Sequence, residues 1–258
     1  MMLARQRQQR ILDEVARSGA VKIADLVEDL AVSDMTLRRD IAELASKGLV
    51  ERVHGGAAQA RMASVHEPAF ATKATQQVAA KQAIAKAAAQ LVAPGSSLGM
   101  SAGTTTHLVA TELLDIPDLT VVTNSLPVSD ELHTNRRLEQ TVLLTGGART
   151  PSDALGGPMA ASALQGFHLD LLILGVHGMA VPAGLTCPNQ LETQANQAFI
   201  AASRQIMVVA DHTKWGVVGL QTIAELTEVD VLITDDGLAA GARHELESLV
   251  GELIVVRA

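Results

Sequence analysis

The sequence is poor in several residue types that often stabilise proteins. It has one cysteine, no tyrosine and only 2% aromatic residues. The single cysteine, Cys187, excludes an intrachain disulfide and argues against a zinc site built from thiolates. Low aromatic content beside abundant Ala, Leu and Val favours helices packed on a β-sheet over an all-β fold. With 48% hydrophobic residues, the chain of 258 residues has ample material for a sizeable core.

Long apolar runs are also missing. No apolar segment reaches the ~18 residues that are read as a membrane span. The N-terminus carries Arg5, Arg7 and Arg10 and leads into an amphipathic helix, so it does not resemble a secretory leader. We therefore expect a soluble, cytoplasmic protein.

The sequence also lacks an excess of positive charge. The formal net charge of -8 argues against a protein that coats nucleic acid without regard to sequence. The charge is unevenly spread, because residues 1–62 carry ten Lys/Arg and nine Asp/Glu, whereas the remainder carries ten and nineteen. A sequence-specific DNA-binding protein needs only a local basic face, and an acidic remainder limits indiscriminate phosphate binding.

Residues 1–57 have the pattern of a winged helix-turn-helix domain. Apolar residues recur at helical spacing in three segments, the third of which has Leu37, Ile41 and Leu44 on one face. An alternating strand followed by Gly55-Gly56 predicts the wing. The predicted elements are helices over 7–18, 23–30 and 33–47 and a strand over 49–54.

The helix over 33–47 is the candidate DNA-reading element. Ser33 is a good N-cap, and Thr36 and Arg39 lie in the first turns, which usually meet base edges in the major groove. Arginine pairs with guanine and threonine contacts the thymine methyl. Two arginines alone would more often be solvated, but the three helices, the cap and the Gly-Gly turn together favour DNA binding. Asp40 either orients an arginine by an ion pair or lies on the surface. The predicted DNA-contacting residues, the last five suited to phosphates or groove edges, are Ser33, Thr36, Arg39, Lys22, Arg38, Lys47, Arg52 and His54.

From about residue 73 the pattern becomes that of an α/β domain. A long Ala-rich helix is predicted from Lys73 to Ala93, and Pro94-Gly95 ends it. Short apolar runs then alternate with helices, which indicates a mostly parallel sheet covered by helices. Residues 58–72 lack clear periodicity and are predicted to link a domain over 1–57 to one over 73–258. The predicted strands are 97–100, 119–122, 141–144, 169–174, 206–210, 230–234 and 252–256.

Small or polar residues follow five of these strands. Because ligands bind beyond the carboxyl ends of strands in open α/β sheets, the five ends predict one shared pocket. Residues 101–106 lie between a strand and a helix predicted over 104–114, where free backbone N–H groups suit a phosphate. An ordinary turn with threonine capping is the alternative there. Lys214 is a candidate cation for the phosphate, and Asn124, Asp211 and Glu192 are candidates for sugar hydroxyls. The five strand ends are 101–106, 123–125, 145–147, 175–178 and 211–214.

A series of short motifs resembles those of DeoR-family bacterial transcriptional regulators, and the resemblance covers nearly the whole chain. The N-terminal motifs are Ser33-x-x-Thr36-Leu37-Arg38-Arg39-Asp40-Ile41, Gly48-Leu49 and His54-Gly55-Gly56-Ala57. The C-terminal motifs are Ala102-Gly103-Thr104-Thr105-Thr106, Val121-Val122-Thr123-Asn124-Ser125, Gly146-Gly147, Gly175-x-His177-Gly178 and Ala210-Asp211-x-x-Lys214. As an ordered set these motifs are specific, although Gly-Thr-Thr-Thr alone would be weak.

The resemblance implies an N-terminal winged helix joined to a C-terminal, mostly parallel α/β sensor domain similar to sugar-phosphate isomerases. Such proteins are mostly repressors of sugar or nucleoside catabolism genes, are released by a phosphorylated intermediate, and are usually homo-oligomers. The implied partners are an operator in double-stranded DNA, a phosphorylated sugar and further copies of the chain. Many relatives have an acidic residue where this chain has His177. The predicted effector-binding residues are Ser101, Gly103, Thr104, Thr105, Thr106, Asn124, Gly147, His177, Asp211 and Lys214.

Two other functions fit the same sequence. A sugar-phosphate isomerase with an added DNA-binding domain would need a carboxylate base, for which Glu192 is the candidate, and would leave the winged helix unexplained. A transcriptional activator of the same architecture is the other. No cofactor is predicted, and no metal either, because His177 and His212 lack a clear carboxylate or thiolate partner at ligand spacing.

Overall fold

The computed structural model describes residues 4–46, 49–53, 55–59, 67–135 and 137–258. The chain divides into two compact units, Met1–Ala63 and Ser64–Ala258. Within the described ranges, no helix is both long enough and apolar enough to cross a membrane.

The N-terminal unit is a winged helix-turn-helix. Its elements are α1 (Ala4–Ser18), β1 (Ala20–Lys22), α2 (Ile23–Leu30), α3 (Asp34–Ser46), β2 (Val50–Val53) and β3 (Gly56–Gln59). The three strands form an antiparallel sheet in the order β1-β3-β2. The three helices and the first wing strand lie within a few residues of their predicted positions. Strand β3 was not predicted, because its Gly-Ala-Ala-Gln sequence has no apolar alternation.

One apolar core holds the three helices together. Ile11 of α1, Leu26 of α2, and Leu37, Ile41 and Leu44 of α3 are each at most 2% exposed. Full burial of an aliphatic side chain of this size contributes roughly 1.5–3 kcal/mol. The apolar residues of α3 face this core, which leaves the opposite side of the helix to the solvent.

An ion pair also fixes α3 against α1. The carboxylate of Asp40 accepts hydrogen bonds from Arg7 Nε at 2.5 Å and from Arg7 Nη2 at 3.1 Å. The two side chains are only 11% and 6% exposed, so the pair is shielded from solvent screening far better than a surface pair. Of the two roles predicted for Asp40, the structure has the ion pair, and the arginine belongs to α1 instead of α3.

The C-terminal unit is built on a seven-stranded parallel sheet. Strands in this unit are β4 (Ser97–Met100), β5 (Thr120–Thr123), β6 (Thr141–Leu144), β7 (Ala148–Arg149), β8 (Leu155–Gly156), β9 (Leu171–Leu174), β10 (Gly178–Ala180), β11 (Gly184–Cys187), β12 (Ile206–Val209), β13 (Gln221–Ala224), β14 (Val231–Asp235) and β15 (Glu252–Val256). The helices are α4 (Phe70–Ala74), α5 (Val78–Gln90), α6 (Thr104–Glu112), α7 (Leu126–Asn135), α8 (Pro158–Ala163), α9 (Gln190–Ala201) and α10 (Ala240–Glu247). The sheet has the order β15-β14-β12-β9-β4-β5-β6, and every neighbouring pair is parallel.

Each face of this sheet buries its own apolar cluster. Successive residues of a strand point to opposite faces, so Leu172 and Leu174 of β9 join one cluster while Ile173 joins the other. Helices α9 and α10 contribute to the first cluster, and α5, α6 and α7 to the second. Because both faces are covered, the strands are continuous apolar runs, and all seven were predicted from the sequence.

The segment before the sheet differs from its prediction. The single helix expected from Lys73 to Ala93 is wrong, because the chain forms α4 and α5 on either side of Gln77. Gln77 has φ of 50° in the left-handed region, which a continuous right-handed helix does not contain. The expected linker over 58–72 has the last two residues of β3 at its start and the first residues of α4 at its end.

Two small antiparallel sheets were missed. They are the pair β7-β8 and the three-stranded sheet β10-β11-β13. Their strands have at most four residues, and the glycines at Gly156, Gly178 and Gly184 hide any alternation.

Replacement of Asp40 tests the tie between α1 and α3. Asp40→Ala removes two hydrogen bonds from a shielded guanidinium, so we expect the N-terminal unit to lose about 1–3 kcal/mol. The measurement is hydrogen exchange at the amides of α1 and α3 in the full-length chain. Asp34→Ala is the control, because it breaks the exposed Arg38–Asp34 pair of the same helix and should change exchange much less. Unchanged protection of α3 in Asp40→Ala would contradict the structural role of the pair.

Candidate DNA-contacting helix and effector pocket

Helix α3 presents a polar face opposite its buried residues. Ser33 caps the helix, since its hydroxyl accepts a hydrogen bond from the Thr36 amide at 3.3 Å and lies 2.8 Å from the Thr36 hydroxyl. Arg38 is paired with Asp34, whose Oδ2 lies 3.1 Å from Arg38 Nη2. Arg39 is exposed and has no ion-pair partner among the residues that the structure describes.

Two further predicted DNA contacts lie on the antiparallel sheet of the N-terminal unit. Lys22 is in β1 and Arg52 is in β2, and both are exposed on the sheet that β3 completes. Lys47 and His54 lie outside the described residues. The structure thus places Thr36, Arg38 and Arg39 on one short helix, with exposed cations also on the sheet of the same unit.

A pocket opens at the carboxyl edge of the parallel sheet in the C-terminal unit. Three of the five predicted strand ends line it: residues 102–105 after β4, residues 175–177 after β9, and Lys214 after β12. The ends of β5 and β6 lie outside its lining. The other lining residues are Glu192, which the sequence analysis named as a candidate, and residues that it did not connect with a site: Glu67, Lys73, Ser152, Cys187, Pro188, Asn196, Val209 and Ile223.

One end of the pocket is built at the N-terminus of α6. Helix α6 begins directly after Gly103, which has no side chain with which to cap it, so the first amides keep the positive end of the helix dipole open to an anion. Thr104 and Thr105 line the pocket and are 7% and 6% exposed. Their hydroxyls have no hydrogen-bond partner among the described residues, so they remain available to a ligand. Lys214 lines the same pocket. We call the open N-terminus of α6, Thr104, Thr105 and Lys214 the anion end.

Other predicted effector residues hold the neighbouring loops in place. Ser101 Oγ accepts a hydrogen bond from the Gly175 amide at 2.9 Å. Thr106 donates to the Gly103 carbonyl at 2.9 Å. Asn124 accepts from the Ala102 amide and donates to the Leu155 carbonyl, each at 3.0 Å. These three side chains form hydrogen bonds with backbone groups and lie outside the pocket lining.

Gly147 and Asp211 also lie outside the lining, whereas His177 is part of it. A Cβ at Gly147 would lie 2.6 Å from the Gly156 carbonyl oxygen, so this position requires glycine for close packing of β7 and β8. Asp211 is buried, and its Oδ1 accepts from the Thr213 amide at 3.1 Å and from the Thr213 hydroxyl. Gly147 and Asp211 therefore shape the surroundings of the pocket.

Two lysines line the pocket, and a third lies next to one of them. Lys73 and Lys214 line it, and Lys81, which is 3% exposed, donates to the Lys73 carbonyl oxygen at 2.6 Å. Burial lowers the pKa of Lys81 to about 8 and also lowers the pKa of Lys73. The charge of Lys214 disfavours the protonated form of both, while Asp211 favours that of Lys81. An anion bound beside Lys73 and Lys214 would reduce this repulsion.

The half-buried Glu67 and the buried Glu192 both line the pocket and interact with each other. Burial, and then the hydrogen bond and charge of Glu67, raise the pKa of Glu192 to about 8. Burial opposes the ionisation of Glu67, yet hydrogen bonds from Glu192, Ser152 and Asn189 lower the pKa of Glu67 below its ordinary value. A raised pKa of this size favours the protonated form of Glu192 at neutral pH, and in that form Glu192 donates a hydrogen bond to the Glu67 carboxylate. The sequence singled out Glu192 but missed Glu67, Ser152 and Lys73.

The two histidines considered as metal ligands, His177 and His212, and the single cysteine have other surroundings in the structure. His212 Nδ1 lies 2.6 Å from Asp235 Oδ2, so the carboxylate engages that ring in a hydrogen bond. Across the described ranges, no three His, Cys, Asp or Glu side chains are grouped so as to hold a metal ion. Burial raises the pKa of Cys187 to about 12, so its sulfur stays a thiol.

Comparison with known protein families agrees with both units. Residues 7–62 match the DeoR-like helix-turn-helix domain, and residues 76–236 match the DeoR C-terminal sensor domain. The chain belongs to the DeoR family of transcriptional regulators. It is a DNA-binding regulator with an effector-sensing domain, and not an enzyme.

Individual proteins show the same relationship over almost the full length. The HTH-type transcriptional regulator YgbI of Escherichia coli K12 is 37% identical over 99% of this chain and 99% of its own. The glycerol-3-phosphate regulon repressor of the same organism is 35% identical over 89% of this DeoR-family chain and 90% of its own. Among solved structures, ribose 5-phosphate isomerase A of Methanocaldococcus jannaschii has a TM-score of 0.39 and 17% identity, covering 52% of this chain and 53% of that chain.

The glutamate pair predicts a pH effect on stability. The pKa of Glu192 rises from 4.5 to about 8 on folding, so between these values the folded state binds more protons than the unfolded state. The free energy of unfolding therefore falls as the pH rises through this window, by at most about 1.4 kcal/mol per pH unit for one proton. In Glu192→Gln the amide cannot titrate but still donates a hydrogen bond to Glu67. We therefore expect the free energy of unfolding of this variant to depend less steeply on pH.

Urea unfolding of the full-length wild type and of Glu192→Gln at pH 5, 6, 7 and 8 measures this difference. Glu139→Gln is the matched control, because Glu139 forms an ion pair with Arg137 on the surface of the same unit. Parallel curves for the wild type and Glu192→Gln would show that Glu192 does not retain its proton.

Proposed function

We propose that this regulator represses genes of sugar catabolism and leaves its operator when a phosphorylated sugar binds in the pocket. The anion end carries this proposal. It combines the open N-terminus of α6, two buried threonine hydroxyls without partners, and Lys214 in one cavity. A phosphate brings three acceptor oxygens and the negative charge that this combination favours.

The rest of the pocket suits the hydroxyls of a sugar. Asn196 and Glu192 lie four residues apart on α9, so both lie on the same side of that helix. Asn196 is 6% exposed, and its amide has no hydrogen-bond partner among the described residues. His177 and Ser152 add further polar groups to the lining. The E. coli relative that is named the glycerol-3-phosphate regulon repressor supports both repression and a phosphorylated small molecule.

The proposed DNA contacts follow from the exposed side of α3. Thr36 and Arg39 contact base edges, whereas Arg38, Lys22 and Arg52 position the domain on phosphates. The cap residue Ser33, together with Lys47 and His54, completes the proposed set. Residues 1–57 are the proposed DNA-binding domain, 58–72 the linker and 73–258 the sensor.

Release is proposed to be a population shift. The chain acts as a homo-oligomer whose two DNA-binding units must match half-sites about one helical turn, or a multiple of it, apart. A ligand that favours another arrangement of the sensor domains weakens DNA binding, and by linkage DNA weakens ligand binding by the same factor.

Arg39→Ala tests the DNA contact. Loss of one bidentate base contact should weaken binding by about 1–3 kcal/mol, or roughly fivefold to 150-fold. The probe is a duplex selected from a random-sequence library with the wild-type chain, titrated at physiological salt. Arg137→Ala is the control, because it removes the same charge from the surface of the sensor unit. Equal affinity of Arg39→Ala and the wild type for this duplex would remove Arg39 from the interface.

Lys214→Ala tests the anion end. Loss of a charge-assisted hydrogen bond, worth about 1.5–3 kcal/mol, should weaken the binding of inorganic phosphate and of glycerol 3-phosphate by roughly tenfold or more. Affinity for the selected duplex should stay the same. Isothermal titration calorimetry on the full-length chain measures the ligand, and Lys86→Ala, at an exposed lysine of α5, is the control. Unchanged phosphate affinity in Lys214→Ala would show that Lys214 does not hold the ligand.

A further inference from the structure

The carboxylate of Glu67 fills part of the pocket in the way that a ligand would. Its Oε2 accepts a hydrogen bond from Asn189 Nδ2 at 2.9 Å, and its Oε1 accepts one from the Ser152 hydroxyl. Glu192 donates a third hydrogen bond. Lys73 Nζ donates a hydrogen bond to Ser152 Oγ at 2.6 Å, so the charged ammonium group of Lys73 lies next to one of these donors. We call Ser152, Asn189, Glu192 and Lys73 the acid nest.

Groups other than Glu67 already hold the donors of the acid nest in place. Asn189 caps α9, because its Oδ1 accepts from the Leu191 amide at 3.0 Å, and this fixes the direction of its NH2 group. The Thr150 hydroxyl donates to Glu192 Oε1 and fixes that carboxyl. Glu67 itself comes from a part of the chain 85 residues from Ser152 and 122 residues from Asn189. The acid nest is thus preorganised by the fold, and Glu67 is inserted into it.

A second observation points to a ligand beside the acid nest. Asn196 lies one helical turn after Glu192 on α9, is more than nine-tenths buried and lines the same pocket. Its amide has no hydrogen-bond partner in the described part of the chain. The amide reaches the open space of the pocket, where it is available to form hydrogen bonds with a ligand.

The segment that carries Glu67 is short and irregular. Residues 67–69 belong to no helix or strand, and Glu67 is the fourth residue of the C-terminal unit. The Phe70 amide donates to the Pro151 carbonyl at 3.2 Å at the end of this segment. Glu67 can therefore leave the acid nest through a change in the backbone conformation of residues 67–69, while the sheet stays in place.

We propose that Glu67 is an internal ligand, and that the effector is a phosphorylated sugar acid whose own carboxylate displaces it from the acid nest. This inference rests on the proposed function, which supplies the phosphate site. A carboxylate accepts all three donated hydrogen bonds and keeps a negative charge near Lys73. A neutral hydroxyl offers one oxygen and would leave Lys73 without its counter-charge. Displacement changes the segment that begins the C-terminal unit, and this is how ligand occupancy is transmitted along the chain.

The test compares ligands that differ only at the carbon remote from the phosphate. Titration calorimetry on the full-length chain uses aldonate phosphates and their alditol phosphates, namely 3-phosphoglycerate with glycerol 3-phosphate, 4-phosphoerythronate with erythritol 4-phosphate, and 6-phosphogluconate with glucitol 6-phosphate, besides inorganic phosphate. We expect the aldonate phosphate to bind at least about tenfold tighter than its alditol partner at one chain length or more, as charge-assisted hydrogen bonds require.

The outcomes separate this inference from the proposed function. If alditol phosphates bind as tightly as aldonate phosphates at every chain length, the acid nest is not a carboxylate site and the inference fails while the phosphate site stands. If none of the phosphates binds, inorganic phosphate included, the proposed function fails and this inference fails with it.

Two variants and one further measurement test the displacement. Glu67→Gln removes the competing carboxylate, so the affinity for the aldonate phosphate should rise severalfold more than the affinity for inorganic phosphate, which is relieved only of the charge repulsion from Glu67. Ser152→Ala removes a nest donor and should lower the ratio of aldonate to alditol affinity, and Glu139→Gln on the surface should change neither. Hydrogen exchange of the peptide over 67–74 should increase when the aldonate phosphate binds. Tight binding with unchanged exchange of this peptide would show that Glu67 is not displaced.

Discussion

The common direction of the seven strands is the constraint on which the rest of the C-terminal unit depends. Since every neighbouring pair is parallel, all carboxyl ends reach one edge of the sheet, and the loops that leave them must satisfy their backbone groups there. Ser101 and Asn124 do so by bonding to the amides of Gly175 and Ala102. The hydroxyls of Thr104 and Thr105 are left over and face the pocket. The anion end is therefore what remains after the loops have satisfied one another.

Charge balance inside the pocket follows from burial. Isolated buried charges are costly, so the ionised Glu67 is accompanied by three hydrogen-bond donors and by the nearby Lys73, and Glu192 stays neutral. A phosphorylated ligand adds negative charge to a site where Glu67 already supplies one. The repulsion between them is smallest if Glu67 leaves as the ligand enters. A pocket that contains its own carboxylate can thus couple ligand binding to the movement of a chain segment.

The sequence predicted what depends on local pattern and missed what depends on distant contacts. The strands over 97–100 and 141–144 have their predicted bounds because each contains a short, mainly apolar run that is flanked by loop residues. The polar stretch after β4 could be found because helix N-termini favour small polar residues. Glu67 could not, because its partners lie 85 and 122 residues away and nothing in a single sequence marks such a contact. The position of Asn124 in its motif suggests a ligand contact, yet its side-chain amide forms hydrogen bonds with two backbone groups.

The two adjacent arginines of α3 are not equivalent in their readiness to bind DNA. Arg38 is held by Asp34 and would have to give up that pair to reach a phosphate, so its net contribution is reduced by the interaction that it loses. Arg39 has no such partner among the described residues and only loses side-chain freedom on contact. The Asp40–Arg7 pair fixes the helix that carries both, which limits the ordering cost to the side chains themselves. Base recognition by this helix should therefore depend more on Arg39 than on Arg38, although both residues carry the same charge.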